Sequence, residues 1–245
     1  MAAKTQKQRD FLNHLEAYLA KRDGVDKLLK ISRYTSKLIL SSSILPHAHP
    51  LTRGLKSFES SVGLSRKAFR LGKFIQDVNA LRSSAQEQNR DNHFYFLSLL
   101  AYGGEGIYYF VEQIVWLSKS GLLKPSLARE VQKISAWAEL IGYVGSIALK
   151  REDLKELDEK LKCLSSSIEI SEAREESSDE VREKEKVLKM KILMKKLSIL
   201  QDFADGLMAL ADIRDGKGMI FSPFVISSAG LLSALISTHK NWISC

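Results

Sequence analysis

Apolar residues recur three and four positions apart through nearly the whole chain, whereas strict alternation over strand-length runs is almost absent, so the sequence predicts an all-α protein. Helices are expected over residues 7–20, 25–42, 55–83, 92–117, 126–149, 151–164, 180–212 and 222–237. Breaks fall where turn chemistry permits them: Pro46 and Pro50 bracket a turn, Pro125 follows Ser-Gly-Leu-Leu-Lys, and Pro223 lies near the start of the last helix. Residues 165–180 are polar and acidic enough to read as a flexible linker or a frayed helix.

The most informative pattern lies in residues 65–81, Ser-Arg-Lys-Ala-Phe-Arg-Leu-Gly-Lys-Phe-Ile-Gln-Asp-Val-Asn-Ala-Leu. At 3.6 residues per turn Leu64, Leu71, Phe74, Ile75, Val78 and Leu81 share one side, and Arg66, Arg70 and Lys73 line up beside it. Lys67 falls inside the apolar strip and must snorkel out of it, while Phe69 lies off the strip. Two readings fit. An amphipathic helix can lie on a membrane with its basic heads at lipid phosphates, or it can cover the core of its own domain with a solvated basic edge.

Three apolar stretches are candidates for membrane insertion. Residues 219–239 approach the 20 residues that a hydrocarbon core requires, lack formal charge and sit between Lys217 and Lys240. Residues 93–117 are as long and rich in aromatics, but carry Glu105 and Glu112; each carboxylate would cost about 2.5–3.5 kcal/mol at mid-bilayer unless protonated, paired or turned to a bundle interior. Residues 134–149 are short, contain Glu139, and read as a packed or interfacial helix. Small residues every fourth position, Ala138, Gly142 and Ser146, then Ala229, Ser233 and Ser237, favour close helix association. Met190, Leu193, Leu197, Leu200, Ala204, Leu207 and Ala211 form a heptad-like seam that calls for a partner helix, in this chain or in a second copy.

The chain thus divides into a basic N-terminal helical region (1–92) carrying the amphipathic helix 65–81, an apolar helical region (93–149) with a possible first span at 93–117, a charged linker and heptad-like helix (150–218), and a C-terminal span (219–239) with a short tail to residue 245. The expectation is a helical membrane protein with N-terminal amphipathic helices and about two transmembrane helices.

Charge sharpens the choice of partner. The formal net charge is +8, and residues 1–92 hold 17 basic against 8 acidic residues, a net of +9, while residues 118–218 hold 19 of each. A basic N-terminal surface suits an anionic partner. Aromatic interleaving, zinc spacing and a compact helix-turn-helix are all missing from the sequence, which points away from nucleic acid and toward anionic membrane lipids. Cys163 and Cys245 give neither a disulfide framework nor a metal site, and Cys245 does not fit a prenylation box. The N-terminus lacks the apolar core of a cleaved signal.

Catalytic signatures are not found: the sequence holds no phosphate-binding glycine loop, nucleophile elbow or zinc-binding helix. Asp202, Asp205, Asp212 and Asp215 form the one acidic cluster, but its pairs span too many turns for a compact cation shell and read as solvated groups or partners of N-terminal cations. Neither enzyme activity, a cofactor nor a metal is expected.

Five segments, residues 27–40, 65–81, 108–123, 200–218 and 230–242, taken together and in this order, resemble the peroxin-eleven family of peroxisomal membrane proteins. The resemblance covers almost the whole chain. It implies a multi-pass protein of the peroxisomal membrane with both termini in the cytosol, which self-associates and promotes peroxisome elongation, proliferation and fission. It also implies that the family's membrane-remodelling helix maps onto 65–81. In that role Arg66, Lys67, Arg70 and Lys73 would attract anionic lipid, and Phe69, Leu71, Phe74, Ile75, Val78 and Leu81 would insert. The implied fission partners are a dynamin-related protein and its tail-anchored adaptor. A two-span topology would leave residues 118–218 inside the organelle. A pore for small metabolites is the alternative function, motivated by Glu105, Glu112 and Glu139 within apolar segments. The chain departs from family members that end in a dilysine signal: it ends Asn-Trp-Ile-Ser-Cys.

Overall fold

The computed structural model describes residues 10–42, 44–46, 49–86, 92–173 and 179–245. Among them the chain is all-helical: α1 (Phe11–Ala20), α2 (Arg22–Ser41), α3 (Pro50–Phe69), α4 (Phe74–Gln86), α5 (Asn92–Ser98), α6 (Gly104–Lys119), α7 (Pro125–Ala173), α8 (Asp179–Ile213) and α9 (Pro223–Ile243). A π-helical turn, Leu99–Gly103, joins α5 to α6 without a break. Proline starts three of these helices because its missing N–H is unneeded there; at α3 the His49 ring also accepts from Leu51 N at 3.2 Å.

Three boundaries differ from expectation. The helix expected over 55–83 is two helices, broken at residues 70–73, where Gly72 takes φ +71°, a left-handed conformation that glycine adopts without a Cβ clash. The helices expected at 126–149 and 151–164 are one helix of 49 residues that also takes in 165–173, because no Gly or Pro interrupts the chain there; residues 174–178 of the expected linker lie outside the described residues. The last apolar helix begins at Pro223, capped by Ser222, with 219–221 as a 3-10 turn before it.

The helices close a ring. α2 packs on α3 and α9, α9 on α8, α8 on α7, α7 on α6, and α6 on α3 and α4. Neighbours run antiparallel, as successive contacts require: Lys73 to Asp23, Arg66 to Asp26 and Arg33 to Glu59 between α2 and α3–α4, then Asp202 to Ser146 and Asp215 to Lys133 between α8 and α7. The α6–α7 contact is a backbone contact. A Cβ on Gly104 would lie 2.5 Å from Gly142 N and 2.7 Å from Ala138 O, so the small-residue stripe of α7 serves close packing as expected. In α9 the buried small residues are Ser227, Gly230, Ser233, Ala234 and Ser237.

Beyond the ring α7 and α8 continue as an antiparallel hairpin, where Lys195 reaches Asp153 at 2.6 Å and Ser165 reaches Glu185 at 3.3 Å. The expected seam on α8 is only half inside: Ala204 and Ala211 are buried, whereas Met190, Leu193 and Leu200 are exposed. Helix α1 folds over the ring's end, where Phe11, His14 and Tyr18 surround Trp242. The hairpin leaves the ring at Lys150 and re-enters near Gln201, beside Lys240 and Asp23, so it projects from the end that carries α1 and the C-terminus.

Candidate functional site: a charged axis inside an apolar belt

The basic edge of 65–81 faces the interior. Arg66 is 4% exposed and donates from Nε to Asp26 Oδ1 at 3.0 Å, and Arg70 Nε lies 3.5 Å from the same oxygen. Arg70 also donates from Nη1 to the Tyr108 hydroxyl at 2.8 Å. Lys67 pairs with Glu112, and Lys73 with Asp23 at 3.5 Å. The break at Gly72 makes this possible: the chain turns between Arg70 and Lys73, and Arg22 holds the turn by donating to Leu71 O at 2.6 Å.

The apolar members of the segment divide. Phe69, Leu71, Ile75 and Val78 are exposed, Val78 at 55%. Phe74 is half-buried edge-on against Phe110, with centroids 5.6 Å apart, and Leu81 is half-buried. All ten expected membrane-binding residues therefore sit together on α3, α4 and the turn 70–73 between them. The four basic ones are taken up by carboxylates of α2 and α6, and the exposed residues of the segment are uncharged: Phe69, Leu71, Ile75 and Val78 with the polar Gln76 and Asn79.

The same arrangement runs round the ring. Lys30 donates to Asp205 Oδ1 at 2.8 Å and to Ser233 Oγ at 2.6 Å, linking α2, α8 and α9. Asp202 accepts from Ser146 at 2.8 Å and from Lys150. Glu139 accepts from the Tyr143 hydroxyl at 3.0 Å. The three glutamates in apolar segments, Glu105, Glu112 and Glu139, all turn inward, which is the condition the sequence sets for burying them. Two cavities, of about 230 and 480 Å³, lie along the axis, and Lys30, Arg70, Tyr108, Glu139, Tyr143 and Asp205 line both. This layer separates them.

Outside, five of the six ring helices present the opposite surface, whereas α3 exposes Arg53 and Lys56 along its first two turns. The exposed residues are Leu28 and Thr35 over 24–41, Ile107 and Phe110 over 104–118, and Ile134, Trp137, Ile141 and Val144 over 134–150. Leu200 and Phe203 follow over 197–211, then Pro223, Phe224, Val225, Leu232 and Leu235 over 223–238, and none of these positions bears a charge. Contiguous exposed apolar surface of this kind marks contact with lipid or protein. Among the described residues no helix is long and apolar enough to cross a membrane by hydropathy, so the spans expected at 93–117 and 219–239 do not stand out as such. The reason is visible in the packing: each helix gives one stripe to the polar axis, including Glu112 in α6 and Ser233 in α9.

Sequence reasoning missed Asp26, Lys27, Lys30, Tyr108 and Tyr143 as axial residues. The signal was available in α2, where Asp23, Lys27, Lys30 and Tyr34 recur at helical spacing, but nothing local says that this face points to an axis. The hairpin is ordinary by comparison. Glu180 and Glu185 are held below their usual carboxylate values by hydrogen bonds from Lys184 and Lys189 one turn on.

Fold and site together define a class: among the described residues, an all-helical ring that gathers ionic groups on its axis and turns an apolar surface outward on five of its six helices. The chain belongs to the peroxisomal biogenesis factor 11 (PEX11) family, whose match covers residues 12–242. It is 62% identical to Peroxisomal membrane protein 11A of Arabidopsis thaliana over 98% of this chain and 95% of that protein. It is 55% identical to Peroxisomal membrane protein 11-3 of Oryza sativa subsp. japonica over 97% and 91%. A more distant relative, Peroxisomal membrane protein 11B of Arabidopsis thaliana, is 32% identical over 96% of this chain. No solved structure matches the chain. The family is described by a role in peroxisome biogenesis and not by a reaction.

Proposed function

We propose that the chain is an integral protein of the peroxisomal membrane that promotes peroxisome elongation and fission, with the ring embedded in lipid and its axis crossing the bilayer. The charge-free exterior of α2, α6, α7, α8 and α9 carries this reading. A 20-residue helix such as α2 is about 30 Å long, the thickness of the hydrocarbon core. Amphipathic helices can cross it when each turns its polar stripe to a shared interior, which satisfies charged groups that lipid cannot.

The remodelling contact in this reading is the exposed apolar side of α3–α4, with Phe69, Leu71, Ile75 and Val78 in the outer leaflet at its edge. Material inserted into one leaflet expands it relative to the other and favours positive curvature, and self-association would concentrate the effect. Anionic lipids, a second copy of the chain and a dynamin-related protein with its tail-anchored adaptor are the partners this reading calls for.

With both termini cytosolic, the hairpin α7–α8 is cytosolic too, which replaces the two-span topology in which residues 118–218 lie inside the organelle. The test is protease protection of carbonate-washed peroxisomes carrying tags at each end and within 174–178. All three tags should be digested without detergent and the core should stay in the pellet; release by carbonate, or a protected internal tag, overturns the topology. In the same cells Ile75→Glu with Val78→Glu should leave the protein in the membrane and abolish elongation, and normal elongation would remove α3–α4 as the remodelling contact.

A second reading, a path for small polar solutes, is favoured by the two polar cavities stacked along the axis. Reconstituted protein would then conduct in planar bilayers, with selectivity altered by Glu112→Gln. Silence after verified insertion overturns it.

A further inference from the structure

The hairpin and the far end of the ring neutralise their exposed cations differently. On the hairpin, lysines meet glutamates of their own helix: Lys155 with Glu152 at 2.8 Å, Lys184 with Glu180 at 2.7 Å, Lys189 with Glu185 at 2.8 Å. The far end is where α2, α6 and α8 finish and α3, α7 and α9 begin. Among the described residues there, the exposed basic ones are Arg53 and Lys56 on α3, Lys119 and Lys124 around the α6–α7 turn, Lys133 on α7, and Arg214 and Lys217 after α8. The exposed acidic ones are Glu130, Asp212 and Asp215; Glu59, partly buried, is held by Arg33 and Lys37. Lys133 pairs with Asp215 at 3.3 Å, and the other six cations have no carboxylate within ion-pair distance among the described residues.

Each group of cations stands beside an exposed apolar side chain. Leu51 precedes Arg53 on the first turn of α3, Leu122 lies between Lys119 and Lys124 and is 74% exposed, and Met219, 97% exposed, follows Lys217 with Ile220 next to it. Side chains so mixed suit a membrane interface, where the apolar ones reach hydrocarbon and the ammonium groups stay at the phosphates. Depth agrees. On α7 no exposed charge lies between Lys133 and Arg151, and on α8 none lies between Lys196 and Asp212. At 1.5 Å per residue these intervals are about 27 and 24 Å, close to the hydrocarbon core of about 30 Å. In an embedded ring this rim lies at headgroup level, which matches cations with apolar tips better than an acidic protein met in water.

We propose that this rim binds the headgroups of anionic phospholipids in the leaflet that faces away from the hairpin and the termini. Lys119, Lys124, Arg214 and Lys217 attract the lipid phosphates, while Leu122, Met219 and Ile220 dip below them. Arg66, Lys67, Arg70 and Lys73 cannot take this role, because carboxylates inside the ring already hold them. The inference rests on the embedded ring and is independent of the elongation reading.

The full chain is reconstituted in nanodiscs of phosphatidylcholine with a minor fraction of phosphatidylserine, and the phosphatidylserine retained per chain after extraction into mild detergent is measured. The expected result is enrichment of phosphatidylserine over phosphatidylcholine. Lys119→Gln with Lys124→Gln and Lys217→Gln should lower that enrichment about fivefold or more, and arginine at the same three positions should keep it. Lys184→Gln with Lys186→Gln, on the hairpin, should leave it unchanged. Lys217→Gln alone serves if the triple variant does not enter discs. Equal enrichment in the rim variants, or an equal loss in the hairpin variant, overturns the proposal and leaves the embedded ring standing, because every chain measured is disc-inserted. Absence of any enrichment also overturns it and would leave an acidic protein as the occupant of the rim. A parent chain that does not enter discs overturns the embedded ring and this proposal together.

Discussion

The ring and the hairpin are built from the same two helices, yet they obey opposite rules. In the ring, α7 and α8 put Glu139, Asp202 and Asp205 inside and Trp137, Ile141 and Phe203 outside. In the hairpin, Ile168 and Ile192 are buried while Lys155, Lys160, Lys184 and Lys186 lie outside in short-range pairs with glutamates of their own helix. One chain thus changes its exterior within a turn or so of Lys150. The hairpin is the arrangement that water favours for an amphipathic helix pair; the ring is the one that an apolar surrounding, as in the proposed membrane setting, would favour.

The contrast breaks most readily at Asp26. Removing it strands Arg66 and Arg70 in the interior, and breaking a buried pair in this way costs about 3–5 kcal/mol, so Asp26→Leu should unfold far below the parent in thermal denaturation in detergent. The same change in the hairpin, Asp153→Leu, removes a partly exposed pair with Lys195 and should cost no more than about 1 kcal/mol. Equal losses at the two positions would erase the distinction.

The exterior sharpens it. Ile141→Lys places a charge on the belt and should lower membrane insertion by about 2.5–3.5 kcal/mol on insertion scales, read as carbonate-soluble protein. Leu193→Lys, equally exposed but on the hairpin side of α8, should leave insertion unchanged. Insertion unaffected by Ile141→Lys would mean that the belt faces something other than lipid.

The smallest expected effect is one of pH. Glu180 has a lowered value in the folded hairpin, so its contribution is complete above the unfolded carboxylate range and disappears as pH falls through the folded value. Because the group is fully exposed, Lys184→Ala should leave the melting temperature of the whole chain unchanged at pH 7, and a measurable drop would show that the hairpin supports the ring.

Much of this was legible in residue order. Helical spacing gave the all-α class, the resemblance of five segments gave the family, and the burial of Glu105, Glu112 and Glu139 in apolar stretches required an interior partner for each. Other features were out of reach. Gly72 was a single glycine in a good amphipathic pattern, and its left-handed conformation lets Arg66 and Arg70 before the turn and Lys73 after it all reach carboxylates of α2. The seam on α8 looked like a buried coiled-coil stripe, but half of it faces outward, because α8 meets α7 and α9 on neighbouring faces and not on one line.

The sequence by itself determined which residues are helical, which stripe of each helix is apolar and which is charged, and to which family the chain belongs. Only the tertiary structure decided which stripe faces inward. The physical reason is that an amphipathic pattern fixes a direction in the frame of its own helix, and that direction is the same whether the polar stripe points to water or to a shared axis. Closing six helices of one chain into a ring gave Arg66 and Arg70 a common carboxylate in Asp26, and with it the basic edge of 65–81 turned in and the apolar edge turned out.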